Sequence, residues 1–382
     1  MQASTSNVSF TPQCSGGRWP SVQRFAISLN IAYVLQSLFL LSTMLDRHST
    51  IAHSAYHDLL ASLRDEAIAE IRGTPTRVDR GGRTYWYDTY RVGSDVKKTY
   101  VGEDNEELRT RIQRISALRE GRENRRRNRA RLVRLLRAEG FLGIDAAIGS
   151  LLHALASAGV FRLGGTVVGT QAFRLYEGEL GVRFTFDQTA QTADIDIASF
   201  ERLSLALEDT VSSPLDHVLK DFSFEPAPAL EPGKTWRWKQ TRNEMLVEFL
   251  TPSFTEDEPL RPLPALGVHA QSLHHLNYLL AEPILAAVTY RDGVLVQIPR
   301  PERFAIHKLI VADRRLDGPD SLKALKDRLQ AEFLINVLAL DRPDDLQEAL
   351  EDALLRGKRW RERIKKSIDK SPSLQARLGP LT

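Results

Sequence analysis

The chain has 382 residues, 42% hydrophobic and 26% charged, a balance that excludes a disordered chain and a polytopic membrane protein and leaves room for two or three domains. Lys and Arg total 52 against 49 Asp and Glu, so the formal charge of +3 supplies no overall field to draw nucleic acid, and any such affinity must come from local patches. The single cysteine, Cys14, excludes an intramolecular disulfide and a Cys-based zinc cluster, and it points to a reducing compartment with the cytoplasm as default.

Residues 25–45 carry no charge and reach spanning length, but Ser28, Asn30, Gln36, Ser37, Ser42 and Thr43 dilute the run. Met44 is followed at once by an amphipathic pattern, so residues 1–43 read as an over-extended start and not as a membrane anchor. Ala55, Leu59, Leu63 and Ala67 then predict a helix over residues 52–71, stopped by Gly73, Thr74 and Pro75. His53 and His57 lie one turn apart on it, without the carboxylate of a metal motif, and read as solvated or capping.

Thr84 to Tyr87 and Lys97 to Val101 flank Gly93-Ser94 and predict an aromatic, basic hairpin, built either to stack on bases or to pack on a helix. Residues 108–137 predict one long Arg-rich helix with Arg122, Arg125, Arg126, Arg127, Arg129 and Arg131 all round its circumference. Its interspersed acids favour a solvated, salt-bridged linker over a track for phosphates. Ala147, Leu151, Leu152, Leu155 and Ala156 give residues 144–158 a wide apolar face that should pack against whatever follows Gly159.

Chemistry begins beyond that point. Val167 and Val168 end a short strand, Gly169-Thr170 turns, and residues 171–179 run on as a helix, an arrangement that lets backbone N–H groups approach a phosphate. Asp194-Ile195-Asp196-Ile197 follows. At a strand's period of two, both aspartates share one face while both isoleucines enter the core. Two carboxylates that close repel each other, and hard oxygen donors at this spacing suit Mg²⁺. Glu248 interrupts the apolar strand of residues 245–250, and a buried unpaired charge needs a partner, either an arginine or a metal shared with Asp194 and Asp196.

Val168-Gly169-Thr170, Asp194-x-Asp196 and an acid on a later strand together resemble the core of the DNA polymerase beta-like nucleotidyltransferase superfamily. More narrowly, residues 164–198, 248–252 and 301–308 resemble, in the same order, a bacterial family of nucleotidyltransferase-fold proteins of undefined substrate. The third acid in that superfamily is usually Asp, where this chain has Glu248. The resemblance implies a basic residue on the helix after the core that contacts the triphosphate. Lys308 is the first candidate for it, and Arg303, equally able to clamp phosphate or cap the helix, is the second.

In the second half, Trp236 and Trp238 alternate with Arg237 and Lys239 ahead of the Glu248 strand, as in an antiparallel neighbour, and Asp292-Gly293 marks a hairpin. His269, His274 and His275 read as loop or helix surface. Leu322, Leu325, Leu329 and Phe333 predict the buried stripe of one helix, Leu346, Leu350 and Leu354 that of the next, and Trp360 with its neighbouring Arg and Lys residues a basic end. The expected architecture is α+β: an extension over residues 1–43, an N-terminal helical region with a hairpin over 44–158, a nucleotidyltransferase core of mixed sheet and flanking helices over 159–299, and a helical C-terminal domain over 300–382.

The expected activity moves a nucleoside monophosphate from a nucleoside triphosphate to an acceptor hydroxyl, on RNA, protein or a small molecule. Asp194, Asp196 and Glu248 would be catalytic and would hold two Mg²⁺ ions; Gly169, Thr170, Arg303 and Lys308 would bind the nucleotide. The rival reading, from the Arg-rich helix and aromatic hairpin, is a non-catalytic nucleic-acid-binding or toxin–antitoxin partner protein that keeps the fold.

Overall fold

The computed structural model of the protein describes residues 45–92, 95–184, 194–207, 209–228, 231–254, 257–316 and 321–379. The uncharged stretch up to Met44 with Cys14, the Gly93-Ser94 turn and the loop before Asp194 lie outside the described residues. Asp46–Thr382 form one compact unit.

Ser49 opens helix α1 (Thr50–Ala69) by accepting a hydrogen bond from the Ala52 backbone N–H. Ala52, Tyr56, Leu59 and Leu63 recur at helical spacing and are buried. Ala67 is exposed, contrary to expectation; in the last turn Ile68 and Ala69 face inward instead, to a cluster with Leu118.

The hairpin is present as β2 (Arg83–Val92) and β3 (Asp95–Glu103), and β1 (Thr74–Arg80) adds a third antiparallel strand. Pro75 and the polar alternation of a half-exposed edge hide β1 in the sequence. Of its aromatics, Tyr87 is buried and its hydroxyl donates to the Leu207 carbonyl, while half-buried Trp86 donates from Nε1 to Asp104 at 2.7 Å.

Where the sequence predicts one Arg-rich helix, the chain makes three: α2 (Glu106–Gln113), α3 (Ile115–Glu120) and α4 (Arg122–Ala138). The helix breaks at Arg114 and Gly121, both with ψ near zero, and glycine is a poor interior helix residue. α4 is not a solvated linker either. Val133 and Leu136 pack into the α1 core, and Arg129 is buried between Glu66 and Asp292, each at 3.2 Å. An arginine can enter the interior there because two carboxylates take its charge and its hydrogen bonds.

Asp145 caps α5 (Ala146–Ala158), which Gly159 stops at φ 93°. Ile148, Leu151, Leu152 and Leu155 form its buried face, while Ala147 lies outside it. From here the chain builds a seven-stranded mixed sheet. Its main path runs β4 (Thr166–Val168), β5 (Ile195–Ala198), β8 (Leu246–Ser253), β10 (Val268–His274) and β9 (Leu260–Leu263). β5, β8 and β10 are parallel; β4 and β9 close the edges antiparallel. β6 (Phe224–Pro226) pairs with β7 (Arg237–Gln240), and β7 lies antiparallel beside the start of β8. Between these strands lie α6 (Gly169–Leu180), α7 (Glu201–Ala206), α8 (Leu215–Asp221) and, after β10, α9 (Leu276–Leu279).

A hairpin, β11 (Ile284–Val288) and β12 (Val294–Ile298), turns at Asp292-Gly293 as expected and leads into the helical region. This comprises α10 (Pro301–Leu316), α11 (Ser321–Asp341), α12 (Pro343–Leu355), α13 (Lys358–Ile368) and α14 (Pro372–Leu378). On α11 the expected stripe holds only at Phe333, half-buried against Phe173 and Phe184. Leu322, Leu325 and Leu329 are exposed, and Ala324, Asp327, Ala331, Leu334 and Leu338 face inward. The inward face of the first turns carries small and charged residues because it lies against the charged side chains of α10. In α13, Trp360, Ile364 and Ile368 are buried, so the basic end packs on the molecule through an apolar stripe. No described helix is long and apolar enough to cross a membrane.

The contrast on α4 is testable. Arg129→Ala should lower the unfolding free energy by about 3 kcal/mol, because Glu66 and Asp292 keep their charges in a partly buried site. Arg131→Ala, on the exposed face, should change it by less than about 0.5 kcal/mol. Urea denaturation of both variants measures the difference; equal effects would deny the buried cluster its role.

Candidate functional site

Val168 ends β4 in extended geometry opposite Asp196, and Gly169 opens α6 at φ 66°. A Cβ built on Gly169 would lie 2.4 Å from Asp196 Oδ2, so glycine is required twice, by the backbone angle and by the close approach of the carboxylate. Thr170 follows, its Oγ1 accepting from Lys326 Nζ at 3.0 Å. Gln171 Nε2 donates to the Asp194 carbonyl at 3.4 Å and ties the helix start to the acidic strand.

The acids stand where strand alternation places them. Ile195 and Ile197 are fully buried, and Asp196 between them turns to the other face. Asp196 is in direct register with Glu248 on β8, between buried Val247 and Phe249. Asp194, just before β5, accepts from the Leu246 backbone N–H at 3.3 Å. Burial, then the Glu248 charge, then the Asp194 charge push the Asp196 carboxyl up to about 7. Burial also raises Glu248, with Arg237 opposing it and Asp194 adding to it. Arg237, opposite Glu248 on β7, reaches it at 3.7 Å, so Glu248 has the arginine partner that the sequence left as an alternative to a metal.

Cations close the other side, from the helical region. Lys308 on α10 is buried, with its ammonium on the Asp327 carboxylate and 5.2 Å over the Phe304 ring. Arg315, two turns along, binds the other oxygen of Asp327. Lys308 and Arg315 both pull the Asp196 carboxyl down, and Lys323 does the same to Glu248. Gly169, Thr170, Asp194, Asp196, Glu248 and Lys308 thus come together. Arg303 does not join them: it binds Asp352 at 2.6 Å and lies over the Tyr278 ring, away from the charges that act on the acids.

Arg237, Arg315, Lys323, Lys326 and Asp327 are the neighbours that sequence reasoning misses. A signal for three of them exists in the spacing Lys323, Lys326, Asp327, which puts them on one face of α11. Of the other candidates, the His53 and His57 Nε2 atoms are 3.0 Å apart. His275 is not on the surface as expected. It is buried edge-on against Trp360, and burial followed by the charge of His274 pushes its pKa down to about 3.

The donor set fits a hard divalent cation in kind: three carboxylates on one side of a sheet, two of them raised by burial. No described donor hydrogen-bonds the Asp196 carboxylate. In this side-chain arrangement no three His, Cys, Asp or Glu side chains among the described residues converge far enough to enclose a metal. A cleft of about 2370 Å³ lies elsewhere, between the three-stranded sheet and the core. It is lined by both signs of charge, including Lys97, Arg162, Asp209 and Glu70, and by none of the expected site residues.

Residues 146–355, more than half of the chain, match a protein family described as nucleotidyltransferase. The chain belongs to this family. The match covers α5 through α12 and so includes the acids, Gly169, Thr170, Lys308 and Asp327. As a nucleotidyltransferase-family chain it also carries, over residues 52–110, a match to a domain of unknown function (DUF6788). A crystal structure of an antigenic nucleotidyltransferase-like protein from Paracoccidioides brasiliensis aligns with 59% of this chain and 94% of its own, at 13% identity and a TM-score of 0.24, too distant to inform the site. No curated protein matches.

The raised Asp196 carboxyl has a pH consequence. A carboxyl that titrates near 7 when folded and near 4 when unfolded binds its proton more tightly in the native state, so stability falls as pH rises from about 4 to about 7. Asp196→Asn removes that loss. In EDTA the variant should melt above wild type at pH 8, with the gap closing toward pH 4; a gap independent of pH would contradict the shift.

Proposed function

We propose that the protein transfers a nucleoside monophosphate from a nucleoside triphosphate to an acceptor hydroxyl, through the site formed by Asp194, Asp196 and Glu248. The observation that carries this reading is the direct register of Asp196 with Glu248, with the Gly169 backbone held against Asp196 and a row of cations opposite. A merely structural sheet gains nothing from that arrangement, because both carboxylates pay for burial and for mutual repulsion. The family match supports nucleotidyl transfer as the reaction class.

In this reading Asp194, Asp196 and Glu248 would hold two Mg²⁺ ions, which would offset the charge of the triphosphate and ease deprotonation of the acceptor hydroxyl. The backbone N–H groups of Gly169 and Thr170, at the start of α6, donate to phosphate oxygens. Lys308 and Lys326 face the developing charge of the leaving pyrophosphate. The acceptor oxygen forms a bond to the α-phosphorus as the bond from that phosphorus to the bridging oxygen breaks, and the acceptor's proton passes to Glu248. The division at residues 159 and 300 belongs to the same proposal: the acids come from the core, and Lys308 and Lys326 from the helical domain.

The test incubates the purified protein and Mg²⁺ with each α-labelled triphosphate over cell extract. Wild type should label an acceptor from one triphosphate. Asp194→Asn and Asp196→Asn should each lower transfer by about 10²-fold or more, on the scale of losing one preorganised charge-stabilising group. Glu248→Asp should keep transfer and Glu248→Gln should lose it. Retention of activity by both Asn variants would place the chemistry elsewhere.

A further inference from the structure

The carboxylate of Asp327 is 2% exposed and makes no contact with the acidic triad, yet it binds two of the cations that act on Asp196. One of its oxygens receives Lys308 and the other Arg315, side chains from positions two turns apart on α10. Placed side by side without an anion between them, an ammonium and a guanidinium repel, and the lysine sheds its proton or swings away. The same turn of α11 presents Lys326, whose ammonium meets Thr170 Oγ1 at the start of α6. Asp327 therefore ties Lys308 and Arg315, both close enough to act on Asp196, to the turn of α11 from which Lys326 reaches the start of α6.

We propose that Asp327 is a positioning residue for the triphosphate: it holds Lys308 and Arg315 as a charged pair directed at the β- and γ-phosphates and thereby sets the preference for a triphosphate over a monophosphate. The proposal rests on the nucleotidyl-transfer reading of the site. A plain structural ion pair between α10 and α11 makes a different demand, since its loss weakens the fold and lowers the affinity for every nucleotide alike.

The ratio of affinities separates the two. Titration calorimetry of the full chain with Mg²⁺ uses each of ATP, CTP, GTP and UTP and the matching monophosphates. Wild type should bind one triphosphate at least about tenfold more tightly than its monophosphate, since one charge-assisted hydrogen bond is worth about that factor. Asp327→Asn should bring the ratio to within about twofold, with monophosphate affinity nearly unchanged, and Asp327→Glu, which keeps the charge, should restore most of it. An Asn variant that keeps or increases the ratio, or that loses triphosphate and monophosphate equally, overturns the proposal. If Asp327→Asn does not fold, the charge-balanced Arg315→Gln/Asp327→Asn double variant is compared with Arg315→Gln alone, and the ratio should fall further in the double; an equal ratio, or a double variant that does not fold, overturns the proposal. Wild type that binds neither nucleotide class removes the nucleotidyl-transfer reading itself, whereas wild type that binds both classes equally leaves that reading standing and removes the role of Asp327.

Discussion

Asp196 and Glu248 share a register across β5 and β8, while Ile197 and Phe249, the next pair along, are fully buried on the opposite face. Neither carboxylate can be moved away from the other without shifting an apolar pair out of the core, since a one-residue slip would exchange the two faces. The repulsion is therefore built in, and the surroundings answer to it. Gly169 allows the Asp196 carboxylate to sit against backbone, Arg237 comes from β7 to Glu248, and Lys308, Arg315, Lys323 and Lys326 come from the helices. Even so the Asp196 carboxyl remains raised to about 7, so the protein's own cations leave it short of full compensation.

That shortfall links structure to the proposed chemistry. A site whose charges balanced internally would gain little from a divalent cation, whereas one left with protonatable acids in a buried setting gains from each cation that completes it. In the proposed reading the helical region is one wall of the site and not an appendage. Its inner face near α10 is given over to Asp327 and small residues such as Ala324, at the expense of apolar packing. The exposure of Leu322, Leu325 and Leu329 follows from that choice of helix rotation.

Features carried by local spacing are legible in the sequence. The alternation of Asp194-Ile195-Asp196-Ile197 gives the face of each side chain, the glycine at 169 marks the turn, and the Asp292-Gly293 hairpin forms as its residues demand. What depends on register or on helix rotation is not. Arg237 is paired with Glu248 only because β7 runs antiparallel to β8 at that offset. Asp327 is placed inward by packing against α10, while the more hydrophobic stripe of the same helix points to a different face. The Arg-rich segment misleads for a related reason: its composition reads as solvated, but Arg129 has two distant carboxylates to meet it, on α1 and in the β11–β12 turn. Arg303 shows the limit of a helical wheel, since its position on α10 directs it to Asp352 and Tyr278 and not to the acids.

The acids and the opposing cations are proposed to form one nucleotide and metal site. The direct measurement is a crystal structure of the protein with Mn²⁺ and a non-hydrolysable nucleoside triphosphate, with the metal located by its anomalous signal. Mn²⁺ should be bound by Asp194, Asp196 and Glu248, with the phosphates against the start of α6 at Gly169 and Thr170 and beside Lys308 and Lys326. An ordered nucleotide in the cleft lined by Lys97 and Arg162, with no Mn²⁺ at the three acids, would contradict it.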